Sequence, residues 1–250
     1  MLQISGKDNV LFKKVKKLKQ KKYREIEQLF LAEGVKFLDF STTPNYIFID
    51  EEFDLSLIEQ ELEKFQCEKY ILSSGLFSQL SSQENSQGVI LVYSYEKYSL
   101  DNLENNILDK VSDPGNLGTI IRTVDAAGFK DIILTTGSVD CYNEKVIRST
   151  MGSIFNARLR YMNEDEMVMF LKDKDYRLIS TALDKNSVPY TEIKLKKKNA
   201  IIFGNEGNGI SKSILAVSDE KVIIPIYGSA ESLNVGVACG IILYKIREII

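Results

Sequence analysis

From residue 107 onward, short apolar runs alternate with stretches of helical periodicity, and that alternation leaves few possible architectures. The spacing predicts strands at Ile107–Val111, Asp131–Leu134, Leu178–Ser180, Ala200–Phe203 and Lys221–Ile224. Helices are expected between them at Leu117–Ala127, Tyr142–Ser149, Glu164–Lys172, Ile214–Ala216 and Asn234–Glu248. Runs such as Ile201-Ile202-Phe203 carry apolar side chains on both faces, as strands of a parallel sheet covered on both sides must. The fold class is therefore α/β. Its ligand site is expected at the carboxyl ends of the strands.

The first 95 residues read as a smaller, separate α/β unit. Leu11, Val15, Leu18, Ile26, Leu29 and Phe30 approximate helical spacing, and a second helical stretch is expected to end near Gly34. Val35–Leu38, Tyr46–Ile49 and Gly88–Tyr93 read as strands, and residues 54–65 as an amphipathic helix. The resulting division is 1–95 for the first domain, 96–106 for a polar linker and 107–250 for the second domain. Charge separates the two further. Residues 1–24 contain nine Lys or Arg against the single acid Asp8, so they carry +8 of a chain whose net charge is −3. Lys13, Lys14, Lys16, Lys17, Lys19, Lys21, Lys22 and Arg24 make this stretch either a solvated helix face or a surface that tracks phosphates.

Composition removes several chemistries. The chain has no histidine, so a Ser-His-Asp triad, a Cys-His dyad and a His-ligated zinc or iron are excluded. Its three cysteines, Cys67, Cys141 and Cys239, are too widely spaced for a CxxC site and too few for a disulfide scaffold. No metal is expected. No 18-residue apolar run occurs and the basic N-terminus lacks an apolar core, so no membrane span and no signal peptide are expected. The expected location is the reducing cytoplasm.

Three loops carry the remaining signal. In the first, Asp113-Pro114-Gly115-Asn116 turns into a helix; Asn116 is a candidate N-cap, and Arg122 lies six residues on. An Asn and an Arg beside a helix N-terminus suit an anion, although a capped helix with a solvated Arg reads equally well. In the second, Phe203-Gly204-Asn205-Glu206-Gly207-Asn208-Gly209 sets three glycines and a carboxylate after an apolar strand. It is either a close-approach loop or a simple glycine turn. The spacing is not GxGxxG, which disfavours a dinucleotide fold and a nicotinamide dehydrogenase. In the third, Ile224-Pro225-Ile226-Tyr227 leads through Ser232-Leu233-Asn234 into a helix whose first turns are small. Gly236 and Gly240 on one face of that helix permit close packing, as they would in any buried terminal helix.

In this order and spacing, the three loops closely resemble the SpoU (TrmH-type) branch of the SPOUT RNA methyltransferases, over roughly residues 107–250. The basic N-terminal unit resembles that family's substrate-binding domain, a ribosomal-protein-like RNA-binding fold. The resemblance implies a parallel-sheet domain with a deep trefoil knot, a homodimer whose site borrows from both subunits, and S-adenosylmethionine as cofactor. It implies Asn116, Arg122, Glu206, Ser232 and Asn234 as the catalytic set. The cofactor would rest on Gly204, Ile224 and Leu233, joined by Thr181 and Leu183. Lys13, Lys14, Lys16, Lys17, Lys21, Lys22 and Arg24 would contact RNA. Gly236 and Cys239 stand where the family more often has Ser or Ala, and Lys245 replaces a commonly acidic position.

The implied reaction moves a methyl group to a ribose 2′-hydroxyl of RNA, with ribosomal RNA expected as substrate and transfer RNA as the alternative. The resemblance casts Arg122 as a general base. A guanidinium, with a pKa above about 12, keeps its proton, so a phosphate clamp that also stabilises the developing alkoxide suits it better. A non-catalytic RNA-binding or ribosome-assembly protein of the same fold would have eroded the five polar positions. Calorimetric titration with S-adenosylmethionine separates the two.

Overall fold

The computed structural model describes residues 1–95 and 105–250. The chain divides into two compact units, Met1–Lys97 with Tyr142–Phe155, and Tyr98–Cys141 with Asn156–Ile250. Most of the linker expected at 96–106 lies outside the described residues.

The first unit contains β1 (Leu2–Ile4), α1 (Val10–Lys17), α2 (Lys21–Glu27), β2 (Leu29–Glu33), β3 (Tyr46–Asp50), α3 (Glu59–Glu63), β4 (Glu68–Leu72), α4 (Ser74–Leu80) and β5 (Val89–Ser94). The sheet order is β1-β4-β3-β5-β2, with β1, β4 and β3 parallel and β5 antiparallel to both its neighbours. Phe12, Val15 and Leu18 from the first helical stretch pack with Leu31, Phe48, Leu72, Phe77 and Val92 to form the core.

The expected basic helix is broken after Leu18. Arg24 Nη1 donates to the Leu18 carbonyl at 2.7 Å, satisfying an acceptor that the end of α1 leaves open. Arg24 is only 3% exposed. It is thus a helix-end cap in the core, and the expected place among the RNA-facing cations is corrected. Leu29 and Phe30, expected on the helical face, begin β2 instead. The run Leu29-Phe30-Leu31-Ala32 is buried throughout, and such a short apolar run fits a helix or a strand equally. Val35–Asp39 forms a 3-10 turn in place of the expected strand. The amphipathic stretch 54–65 is split into a 3-10 turn at Leu55–Leu57 and α3. The short β1 and the charge-led β4 carry no strand signal of their own.

The second unit contains β6 (Asn105–Leu108), α5 (Pro114–Ala126), β7 (Asp131–Thr135), β8 (Arg158–Met162), α7 (Glu164–Asp173), β9 (Arg177–Thr181), β10 (Val188–Pro189), β11 (Asn199–Phe203), α8 (Lys212–Val217), β12 (Glu220–Ile223) and α9 (Val235–Ile249), with α6 (Glu144–Thr150) falling between β7 and β8 in sequence. Its seven strands are all parallel, in the order β10-β12-β9-β11-β6-β7-β8. β7 and β11 are buried along their whole length, as the two-sided apolar pattern requires. The edge strands β8 and β10 were not expected.

The segment containing α6, expected in the second domain, belongs to the first unit. Tyr142 stacks on Tyr95 at 3.9 Å between ring centroids and meets Phe30 at 4.8 Å. Phe155 lies 4.6 Å from Tyr93. Among the described residues, no helix is long and apolar enough to cross a membrane, and no group of His, Cys, Asp or Glu could hold a metal.

Replacing Arg24 with Ala should lower the unfolding free energy by about 1.5–3 kcal/mol in urea denaturation, because a charged hydrogen bond to a helix-end carbonyl is lost. Lys17→Ala and Lys22→Ala, on the surface, should each cost less than about 0.5 kcal/mol.

Candidate active site

Asp113 begins the site. Its carboxylate accepts from the Asn116 backbone N–H at 2.8 Å and caps α5, with Pro114 in the first helical turn. The N-cap expected at Asn116 is thereby corrected, because the residue before the proline already fills that position. Relieved of capping, the Asn116 side chain links the other two loops. Its Nδ2 donates to Glu206 Oε1 at 3.0 Å, and its Oδ1 accepts from Asn234 Nδ2 at 2.8 Å. Asn234 Oδ1 accepts from Gly236 N at 2.9 Å and from Val237 N at 3.4 Å, capping α9. Both amide orientations follow from the network. A carboxylate only accepts, so Asn116 must turn its NH2 towards Glu206 and its oxygen towards Asn234.

Glu206 is the end-point of this chain. It also accepts from Ser112 N and Oγ at 3.3 and 3.0 Å, from Asp113 N at 3.3 Å and from Asn205 Nδ2 at 3.3 Å. Burial pushes its carboxyl up, but donation from Asn116 and from the backbone N–H groups of Glu206, Ser112 and Asp113 outweighs that. The net result lies below the usual glutamate value.

Around this chain lies a pocket of about 510 Å³. Thr181 and Leu183 line it from the end of β9, Phe203 and Gly204 from the end of β11, and Ile224 from just beyond β12. Leu233, Ser232, Asn234, Asn116 and Glu206 complete the wall. The pocket therefore stands at the carboxyl ends of parallel strands. Gly204 is needed there: a Cβ would come within 2.4 Å of the Gly209 carbonyl carbon. A larger cavity of about 720 Å³, walled by Phe37, Phe53 and Ile58, lies in the first unit, and none of the chemistry-bearing residues lines it.

Arg122 does not join the hydrogen-bonded chain. It is exposed on α5 and has no hydrogen-bond or ion-pair partner among the described residues. The face of α5 that meets α9 is marked by Thr119 and Thr123, where Cβ atoms on Gly236 and Gly240 would approach their methyl groups at 3.1 and 3.6 Å. Arg122 is turned about 100° from Thr123. Ser232 is exposed and has no side-chain partner among the described residues. Sequence reasoning missed Ser112, Asp113 and Asn205. The Asp-Pro pair is a recognisable cap signal, but nothing local marks the other two.

In the first unit Lys13 pairs with Asp8 at 2.7 Å, Lys14 with Glu27 at 2.7 Å and Lys21 with Glu25 at 3.7 Å. Lys16 donates to Gln79 Oε1, and Lys19 to the Ser81 carbonyl. Lys17 and Lys22 flank the Tyr23 ring at 5.3 and 5.9 Å.

A model of the SpoU rRNA Methylase family matches residues 105–244. The chain belongs to that family. A model of the MRM3-like substrate binding domain matches residues 9–91. The chain is 37% identical to the 23S rRNA (guanosine(2553)-2'-O)-methyltransferase RlmP of Bacillus subtilis, a match covering 99% of this chain and all of that one. Against the tRNA (guanosine(18)-2'-O)-methyltransferase of Aquifex aeolicus, identity is 33% over 142 residues, covering 56% of this chain and 66% of that one. The crystal structure of an AdoMet-bound rRNA methyltransferase from Sinorhizobium meliloti superposes with a TM-score of 0.86 at 27% identity, covering 99% of this chain and 98% of that one. This SpoU-family chain is an RNA 2′-O-methyltransferase that uses S-adenosylmethionine, and its second unit has the α/β fold of the SPOUT enzymes.

Glu206→Gln should detach the loop, because an amide presents donors to donors. Since folding lowers the carboxyl pKa, the stability difference between the two proteins should be fully present above about pH 4.5. It should vanish as pH falls through the lowered folded value. Urea denaturation between pH 3 and 7 measures this, and a difference that does not shrink towards the acid end would contradict it.

Proposed function

We propose that this enzyme methylates a ribose 2′-hydroxyl in 23S ribosomal RNA and works as a cytoplasmic homodimer. The observation that carries the reading is the convergence of three loops, through Glu206, Asn116 and Asn234, on a single pocket. Ribosomal RNA is favoured because the likeness to the Bacillus subtilis enzyme extends through the basic first unit. The likeness to the Aquifex tRNA enzyme covers little more than half the chain. The first unit is read as a ribosomal-protein-like RNA-binding domain that presents Lys13, Lys14, Lys16, Lys17, Lys21 and Lys22. The second is read as a trefoil-knotted domain, the topology that the resemblance to the SPOUT methyltransferases implies.

The pocket suits S-adenosylmethionine. Its size falls in the range of small-molecule sites, Leu183, Ile224 and Leu233 offer apolar contact, and Gly204 exposes backbone. Glu206 and Glu231 set negative charge near a cation. When bound, the cofactor supplies a methyl group already activated on a sulfonium. The chain's own task is alignment, which accounts for roughly 7–11 kcal/mol of barrier when the reacting atoms are held in line. Asn116, Ser232 and Asn234 orient the ribose. Glu206, with its oxygens taken up by donors and its pKa lowered, holds the first loop in place and is a poor proton acceptor. The hydroxyl proton passes to a phosphate oxygen or to water. Arg122 clamps a phosphate and stabilises the developing alkoxide. It is exposed and has no partner in its own chain among the described residues, which supports its delivery to the site of a second copy.

Arg122→Ala should abolish turnover while changing S-adenosylmethionine affinity only a few-fold; an equal loss of both would move the residue into cofactor binding. Mixing inactive Arg122→Ala and Asn116→Ala proteins should restore about a quarter of wild-type activity if sites are shared across a twofold dimer, and no recovery would refute the sharing. Mass-spectrometric mapping of 2′-O-methyl groups in RNA from a deletion strain should show one site lost from 23S rRNA. A loss confined to tRNA would refute the substrate assignment.

A further inference from the structure

The glycine loop of the pocket is fastened at both ends, and only one fastening belongs to the three motifs. At the first end Asn205 Nδ2 donates to the Lys110 carbonyl at 2.8 Å, and Asn205 and Gly209 exchange backbone hydrogen bonds at 2.9 and 3.0 Å. At the second end Ser211, which opens α8, donates its backbone N–H to Asp109 Oδ2 at 2.7 Å. Asp109 directly follows β6 and is 0% exposed. Its other oxygen accepts from Thr135 Oγ1 at 2.9 Å, at the end of β7. Thr135 Oγ1 in turn accepts from Lys110 N at 2.9 Å. A buried carboxylate is tolerated only when its oxygens are engaged, and here each has a donor.

The residues around it belong to the same device. Lys110 sits at φ +51°, which a side-chain-bearing residue rarely adopts, and its carbonyl is the one that Asn205 grips. Its ammonium pairs with Glu164, whose second oxygen accepts from the Ser211 and Ser213 hydroxyls. Backbone strain at one end of the loop and a buried charge at the other cost stability, and simple packing of α8 needs neither.

We infer that Asp109 is a positioning residue for the S-adenosylmethionine pocket, holding the Ser211 amide so that the Gly204–Gly209 backbone keeps the place from which it meets the cofactor. The inference rests on the pocket assignment made above. Asp109 touches no reacting atom.

Calorimetry with S-adenosylmethionine on a set of variants tests it. Asp109→Ala should raise the dissociation constant at least about tenfold, the loss expected for one charge-assisted hydrogen bond. Asp109→Asn, which still offers an oxygen to Ser211, should recover to within about threefold of wild type. Ser211 has φ −59°, which proline adopts without strain. Ser211→Pro removes the backbone N–H together with the hydroxyl that donates to Glu164, so Ser211→Ala, which loses the hydroxyl alone, is its control. Ser211→Pro should match Asp109→Ala, and Ser211→Ala should bind within about threefold of wild type. The Asp109→Ala/Ser211→Pro double variant should be no worse than either single one. With donor and RNA saturating, kcat should stay within about threefold, since the effect lies in binding. Leu183→Asp, in the pocket wall, separates the two levels. If it loses cofactor affinity while folded Asp109→Ala and Ser211→Pro bind as wild type, the clasp is overturned and the pocket stands. If Leu183→Asp also binds normally, the pocket fails and the inference with it. Hydrogen exchange on the unmodified protein covers the case of a variant that does not fold. The Ser211 amide should exchange at least about tenfold more slowly than an unprotected amide in the same local sequence, and exchange at the unprotected rate overturns the clasp.

Discussion

The Glu206 carboxylate is the interaction on which the site geometry depends. It gathers two backbone N–H groups, a hydroxyl and two side-chain amides from the first and second loops, and so fixes them against each other. Because an ionised carboxylate can only accept, it also sets the orientation of Asn116, which sets that of Asn234, which caps α9. One ionised group therefore fixes the direction of a hydrogen-bond chain through three loops far apart in sequence. A neutral amide in its place would leave several donors facing donors, so an acid there has a structural reason before any catalytic one.

The scaffold makes such a chain possible by bringing loop starts, rather than loop middles, together. Asp113 and Asn234 both cap helices, and each cap leaves one further polar group beside the pocket. Residues fixed at helix N-termini move less than residues in mid-loop, and the positive ends of α5 and α9 face the same region. The small residues of α9 serve the same end: with Gly236 against Thr119, the two helices approach closely enough for Asn234 to reach Asn116. A Cβ at Gly236 would lie 3.1 Å from the Thr119 methyl group and 3.2 Å from Asn234 Oδ1, so even Ala there requires a shift of a few tenths of an ångström.

How much of this was legible in the sequence depended on whether the deciding contact was local. β7, β11, α7 and α9 stood out because each carries its own pattern: an apolar run for the strands, helical periodicity and a capping residue for the helices. Thr181, Leu183, Gly204, Ile224 and Leu233 were named together because the resemblance to the SPOUT methyltransferases implied them, and all five line the one pocket. What the sequence hid was long-range. The break between α1 and α2 depends on Arg24 turning inward to Leu18, and a cationic run offers no local sign of which member will do so. β2 was mistaken for helix because four consecutive apolar residues fit either period. The Tyr142–Phe155 segment joined the first unit through aromatic contacts with Phe30 and Tyr93, partners more than forty residues distant. Asp109 lies in the middle of the expected strand Ile107–Val111, and nothing local in the sequence singles it out; in the structure the strand ends at Leu108.

These misses separate two kinds of charged residue that sequence alone treats alike. The lysines of α1 and α2 reach outward on long stems, several of them already paired with neighbouring acids. Each such pair is worth little in water, so exchanging one anionic partner for another is nearly neutral in energy. Arg24 and Asp109 are held in the interior, where breaking their bonds would leave a backbone carbonyl or a carboxylate unsatisfied. The first kind can change partners at little cost, as a surface that meets varied anions requires. The second cannot, and so suits fixing the shape of the unit that holds it.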